Sequence, residues 1–93
     1  MLHVKLRHKG LKQFYERDDV RGVSPAMTAR IRQILTDLEN ARTPRQMDIP
    51  GYRLHPLKGS WRGFWSVQVS QNWRIVFGFK DGEAVDVDLV DYH

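Results

Sequence analysis

Ninety-three residues with a mass of 11.0 kDa make one domain or a fragment of one, taken as a single domain over residues 1–93, because a chain this short buries only about two-thirds of its surface around a single core. Ten aromatics, 41% apolar residues and a mean hydropathy of −0.55 exclude a disordered chain. No window reaches the ~20 apolar residues of a membrane span, no apolar stretch follows Met1, and no cysteine is present, so a cytoplasmic protein without disulfides, thiolate chemistry or Cys-based zinc is expected. The net charge of +4 hides an asymmetry: residues 1–80 carry all fifteen Lys and Arg against six acids, a net of +9, while residues 81–93 carry five acids, a net of −5. A basic body at pI 9.8 suits a polyanionic partner such as nucleic acid or the ribosome.

In chain order, residues 2–6 alternate weakly as a short strand, and Leu11, Phe14 and Tyr15 then fall at helical spacing in a short amphipathic helix ending near Asp18. Ser24-Pro25 predicts an N-cap with proline at the first helical position, ahead of a stripe formed by Met27, Ile31, Ile34, Leu35 and Leu38. Arg30, Arg32, Asp37 and Glu39 fall on the opposite face, expected to be solvated. The helix fades by Ala41 to Thr43, and Pro44 and Ile49-Pro50-Gly51 mark a connection.

From Tyr52 the period becomes two. Residues Tyr52 to Pro56 predict a strand. Trp65, Val67 and Val69 alternate, Ser70-Gln71-Asn72 turns the chain, and Trp73, Ile75, Phe77 and Phe79 alternate again. Asp81-Gly82 signals a second hairpin, after which Val85, Val87 and Leu89 continue an inward row. The pattern is α+β: two N-terminal helices packed on one face of a curved, mainly antiparallel sheet. On this reading Trp65, Trp73, Phe77 and Phe79 are core rather than a base-stacking platform, whereas Trp61, in the Gly59 to Gly63 loop, either packs or touches a partner.

Phosphate-binding loops, dinucleotide turns, nucleophile elbows and paired metal-binding histidines are absent from the sequence, and His3, His8, His55 and His93 lie far apart, so neither a metal nor another cofactor is expected. What remains is polar. Arg74 alternates with Trp73 and Ile75 and so faces away from the apolar row; His55 and Lys58 bracket Pro56-Leu57 after a strand; Asp91-Tyr92-His93 follow another. Together these suit metal-free RNA cleavage, which needs a base for the 2′-OH, cations for the phosphate and an acid for the leaving 5′-oxygen. DNA lacks that internal nucleophile.

The strings RHKGLKQFYERD (7–18), GYRLHPLKG (51–59), RGFWSVQVSQNWRIVFGF (62–79) and DLVDYH (88–93) resemble the HigB branch, or plasmid-maintenance killer proteins, of the RelE/ParE toxin superfamily, nearly end to end. The resemblance implies a RelE-like fold and a bacterial type II toxin: a ribosome-dependent endonuclease of translated mRNA, neutralised by a HigA-like helix-turn-helix antitoxin, reaching operator DNA only through the antitoxin complex. It implies active positions at His55, Lys58, Arg74, Asp91, Tyr92 and His93. Of these, His93 or Asp91 would be the general base, His55 a proton-transfer partner, and Lys58 with Arg74 the stabilisers of the transition state; Tyr92 would stack on or orient a nucleotide, or pack. Lys5, Arg7, Lys9, Lys12 and Arg62 would contact RNA of the 70S ribosome, and Asp86 and Asp88 would lie on the outward face with Arg74. Two rivals stand beside this reading. A gyrase-poisoning relative of the same fold would break DNA and leave mRNA intact, and a plain RNA-binding module would not need Asp91 to His93.

Overall fold

In the computed structural model the described residues are 9–17 and 20–91, with side chains given for 12–17 and 21–91. The strand expected over residues 2–6 and the Tyr92-His93 pair lie outside them. Helix α1 (Lys9–Arg17) and helix α2 (Thr28–Asn40) precede four strands, β1 (His55–Pro56), β2 (Trp65–Gln68), β3 (Trp73–Lys80) and β4 (Glu83–Asp91). The strands form one antiparallel sheet in the order β1-β2-β3-β4.

Helix α2 follows its apolar period, burying Ile31, Ile34, Leu35 and Leu38. It is entered through a 3₁₀ turn, Pro25–Met27, with proline at the expected position. Ser24 differs from the N-cap expectation: its side chain makes no capping bond, and its carbonyl instead accepts the Met27 N–H at 2.9 Å and the Thr28 hydroxyl at 3.2 Å. The tighter opening turn is closed by these bonds to the Ser24 carbonyl in place of a serine side-chain cap.

The polar face of α2 is not simply solvated. Arg30 donates from Nη2 to the Gly51 carbonyl at 2.5 Å and from Nε to the Gln68 carbonyl at 3.3 Å, and its guanidinium lies 4.6 Å from the Tyr52 ring centroid. Asp37 accepts the Tyr52 hydroxyl at 2.6 Å and Glu39 accepts the Tyr15 hydroxyl at 2.9 Å. The Arg32 guanidinium sits 4.8 Å from the ring centroid of Phe14, the residue through which α1 joins the core. Long polar side chains on a helix thus reach over its flanks to aromatic residues of neighbouring segments.

Tyr52 also accounts for a shorter first strand than the sequence predicts. Its side chain is buried in the core, its carbonyl accepts the Gln68 N–H at 2.7 Å, and Arg53 turns through a positive φ of 52°, so regular pairing starts only at His55. The β3–β4 hairpin matches its signal. Asp81 and Gly82 have φ of 54° and 76°, the doubly left-handed combination that a two-residue type I′ turn requires.

One core cluster combines Phe14, the buried residues of α2, Met47 and Tyr52 with Val67, Ile75, Phe77, Ala84, Val87 and Leu89 from the sheet; Trp65, Trp73 and Phe79 pack half-buried against it. Val85 is the exception to its expected row. Val76 pairs with Asp88 but Gly78 pairs with Val85, so Asp86 and Val87 together oppose Phe77 in a β-bulge, and Asp86 adopts φ 53°. The extra residue shifts the alternation by one. Ala84 rather than Val85 therefore turns inward, and Asp86 occupies the bulge instead of a regular outward position.

Candidate nuclease face

Residues opposed across a ladder share a face, so the register gathers the side of the sheet away from the core: His55 opposite Ser66, Ser66 opposite Val76, Val76 opposite Asp88, Gln68 opposite Arg74, and Arg74 opposite Val90. His55 and Arg74, nineteen positions apart in sequence, are linked through a residue that the sequence reading does not single out, Ser66. Arg74 donates from Nη1 to the Ser66 hydroxyl at 3.0 Å, across the strand from His55. Ser66 is 1% exposed and is the one polar residue fully buried among the described residues. A hydroxyl fixed in that position limits the rotamers of a long, half-buried arginine. The signal was present in the alternation, since Ser66 lies between inward Trp65 and Val67 and so must face Arg74's side.

Lys58 is exposed and opens the loop from β1 to β2. Its carbonyl accepts the Trp61 N–H at 3.3 Å, starting a 3₁₀ turn over Gly59–Trp61, and the Leu57 N–H bonds the Phe64 carbonyl at 2.9 Å to close the loop. Phe64 then lies over the sheet at Gly78, where a Cβ would come within 3.3 Å of the Phe64 ring. The absent side chain at 78 gives that ring its seat. The Trp61 ring meets Phe64 edge-on, with centroids 5.5 Å apart and planes at 89°. Beside them Leu57, Trp61, Val76, Val90 and Asp91 line a hollow of about 190 Å³.

Of the residues singled out in the sequence, His55 and Arg74 thus lie on this face and Lys58 on the loop beside it, whereas the pairing of Asp91 with core-side Trp73 puts Asp91 at the strand end on the other side of the alternation. Asp91 ends β4 opposite Trp73, one position beyond the Arg74–Val90 pair, and borders the hollow. Arg62 is exposed directly after the 3₁₀ turn, on the same loop. Lys12 is exposed on α1, away from this group. Tyr92, His93, Lys5, Arg7 and the side chain of Lys9 lie outside the described residues. Among the described residues no three His, Asp or Glu side chains converge as metal ligands would.

Among the described residues, the two groups with displaced pKa values are elsewhere. Burial, then the hydrogen bond from each hydroxyl to a carboxylate, raises the pKa values of Tyr15, beside Glu39, and Tyr52, beside Asp37, above the ordinary tyrosine value. Both bonds tie α2 to its neighbours and serve the scaffold of the face.

Comparison with known proteins extends over almost all of the chain. The family model described as the RelE-like toxin of type II toxin–antitoxin system HigB matches residues 4–93. Endoribonuclease HigB of Proteus vulgaris is 39% identical over 87 residues, 94% of this chain and 95% of that protein. Toxin HigB-1 of Vibrio cholerae is 32% identical over 89 residues, covering 92% and 93%. Among solved structures, YafQ of E. coli superposes with a TM-score of 0.65 at 18% identity, over 98% of this chain and 93% of that one. A YoeB–YefM complex from Staphylococcus aureus gives 0.64 at 18% identity, over 100% and 98%. At these identities the two structures speak for the fold.

Proposed function

The chain belongs to the HigB family of RelE-like toxins of type II toxin–antitoxin systems, and from that premise we propose that it is a ribosome-dependent, metal-independent endoribonuclease that cuts translated mRNA. The observation that supports the reading is that Ser66 is both the ladder partner of His55 and the hydrogen-bond acceptor of Arg74, on the sheet face turned away from the core. In this reading both helices back a curved sheet from one side and leave the other to RNA.

The reaction begins when a base removes the proton of a ribose 2′-OH. The 2′-oxygen attacks the adjacent phosphorus in line, the P–O5′ bond breaks, and an acid gives its proton to the departing 5′-oxygen. The products are a 2′,3′-cyclic phosphate and a 5′-hydroxyl. His93 or Asp91 takes the first proton and His55 is its partner in proton transfer, a type of catalysis that contributes about 10²–10⁴-fold. Lys58 and Arg74 stabilise the charge that grows on the phosphate oxygens, and Tyr92 orients the scissile nucleotide. The order of proton transfer between two imidazoles belongs to the pair, not to either residue. Arg62, Lys12, Lys9, Arg7 and Lys5 hold ribosomal RNA, and the ribosome supplies the substrate orientation that so small a protein lacks surface to provide. A HigA-like helix-turn-helix antitoxin neutralises the toxin and carries the complex to operator DNA; the working compartment is the cytoplasm. Complexes such as DinJ–YafQ among the structural neighbours agree with a toxin of this fold having an antitoxin partner.

The test is to map RNA 5′ ends on translated mRNA in a purified translation system, with and without ribosomes. New ends should appear only with ribosomes and without added metal beyond what translation needs. His55→Ala should lower the rate by about 10²–10⁴-fold and Arg74→Ala by about 10²–10³-fold, both folded. Equal cutting of ribosome-free RNA would remove ribosome dependence from the proposal. DNA breaks with intact mRNA would replace the proposal with gyrase poisoning.

A further inference from the structure

Trp61 stands apart from the other tryptophans. Trp65 and Trp73 pack against the core, whereas Trp61 is 43% exposed, the one large apolar side chain so exposed among the described residues. Exposure here does not mean a loose side chain. The backbone of Trp61 is bonded at both ends, its N–H to Lys58 and its carbonyl to the Phe64 N–H at 3.0 Å, and its ring is braced edge-on by Phe64, itself seated over Gly78. A large flat ring is therefore held at a set angle with much of its surface left to solvent.

Its surroundings have the composition of a nucleotide subsite. Trp61 shares the 190 Å³ hollow with Leu57, Val76, Val90 and Asp91. Val90 is the direct ladder partner of Arg74, and Val76 lies two positions beyond Arg74 on the same strand and face. The hollow is thus continuous with the Arg74 side of the candidate site. Lys58 precedes and Arg62 follows the turn that carries Trp61, and both are exposed. An aromatic plane between cations, beside an apolar hollow, matches single-stranded RNA: the ring and aliphatic groups take a base, and the cations take the flanking phosphates.

We propose that Trp61 is the stacking platform for one nucleobase of the substrate RNA, next to the phosphate held by Arg74, with Leu57 and Val90 forming the wall of that base subsite. The inference rests on the endoribonuclease reading and adds to it a residue that binds substrate without entering the proton transfers. Stacking is tolerant of base identity, so the subsite fixes the position of the strand more than its sequence.

The experiment is single-turnover cleavage of a defined mRNA on programmed ribosomes, for the wild type, Trp61→Ala and Trp61→Tyr, with an abasic nucleotide placed in turn at each position around the cut. Trp61→Ala should slow cleavage of intact mRNA by about 5- to 150-fold, the size of one base–aromatic stack, while the protein stays folded at the assay temperature by circular dichroism, and Trp61→Tyr should recover most of the rate. One abasic position should slow the wild type by a similar factor and add little to Trp61→Ala, because both changes remove the same contact. A wild type that cuts while Trp61→Ala cuts at the same rate would overturn the platform and leave the nuclease reading standing. The same holds if the abasic and Trp61→Ala effects multiply at every position. A wild type that cuts nothing would overturn both.

Discussion

Replacing Tyr52 with phenylalanine removes one oxygen from the interior and keeps the ring. The ring is 1% exposed and lies under the Arg30 guanidinium, so its burial and cation–π contact survive the change. What goes is the 2.6 Å bond to Asp37 Oδ2. A hydrogen bond to a charged acceptor contributes about 1.5–3 kcal/mol. Asp37 is only half-buried and regains water when the hydroxyl leaves, which places the expected loss at the low end, about 1.5–2 kcal/mol. For a domain of this size each kcal/mol lowers Tm by about 4–8 °C, so Tyr52→Phe should melt roughly 6–16 °C below the wild type in a circular-dichroism scan. A double-mutant cycle with Asp37→Ala should give a coupling of about 1 kcal/mol or more. Because the Tyr52 carbonyl, not its hydroxyl, holds Gln68 just ahead of β1, mRNA cleavage at 25 °C should persist. A fall in Tm below about 2 °C, or additive effects of the two substitutions, would refute the assignment of Tyr52–Asp37 as the tie between α2 and the β1 turn.

Raised tyrosine pKa values make alkaline pH destabilising: an unfolded tyrosine loses its proton near pH 10 while Tyr15 and Tyr52 keep theirs, so above about pH 10 the unfolded state binds fewer protons and stability falls as pH rises. Urea midpoints between pH 8 and 11 should show this decline, and Tyr52→Phe should flatten it; an unchanged slope would contradict the linkage. Ser66→Ala, which deletes the acceptor of Arg74 Nη1, should slow cleavage about tenfold, less than the loss of Arg74 itself, and an undiminished rate in the same end-mapping assay would show that Arg74 needs no such support. Gly82→Ala places a side chain at φ 76° and should cost about 1–2 kcal/mol in denaturant unfolding; a neutral effect would mean that the hairpin turn relaxes.

The elements legible in the sequence were those whose cause is local. The stripe of α2, the Asp81-Gly82 turn and the inward row of Trp73, Ile75 and Phe77 follow from period and turn chemistry. The elements that escaped depend on partners far away in the chain. Tyr52 reads as the first residue of a strand just after the Pro- and Gly-containing connection, and nothing nearby says that it will be buried against Arg30 and Asp37. Those two residues read as solvated helix surface for the same reason. Val85 departs from its expected row because alternation presumes an unbroken ladder, and an aspartate at positive φ leaves no mark on a hydropathy pattern. On the candidate face, the side on which Arg74 lies follows from alternation alone, and the His55 turn from its flanking residues. That Ser66 joins them required the register of two strand pairs, which no single segment carries.

The bulge at Asp86 supplies a residue that the inside–outside arithmetic of β4 does not require. Without Asp86, Phe77 would face Val87 alone, and every pair from Gly78–Val85 to Trp73–Asp91 would keep its present side of the sheet. The surplus residue therefore acts on direction, bending and twisting the strand on its way to the chain's last residues. A chain shortened by that one aspartate would keep the inward and outward sides of its other β4 residues while running the strand along a different line. Composition and aim are separately encoded in this strand.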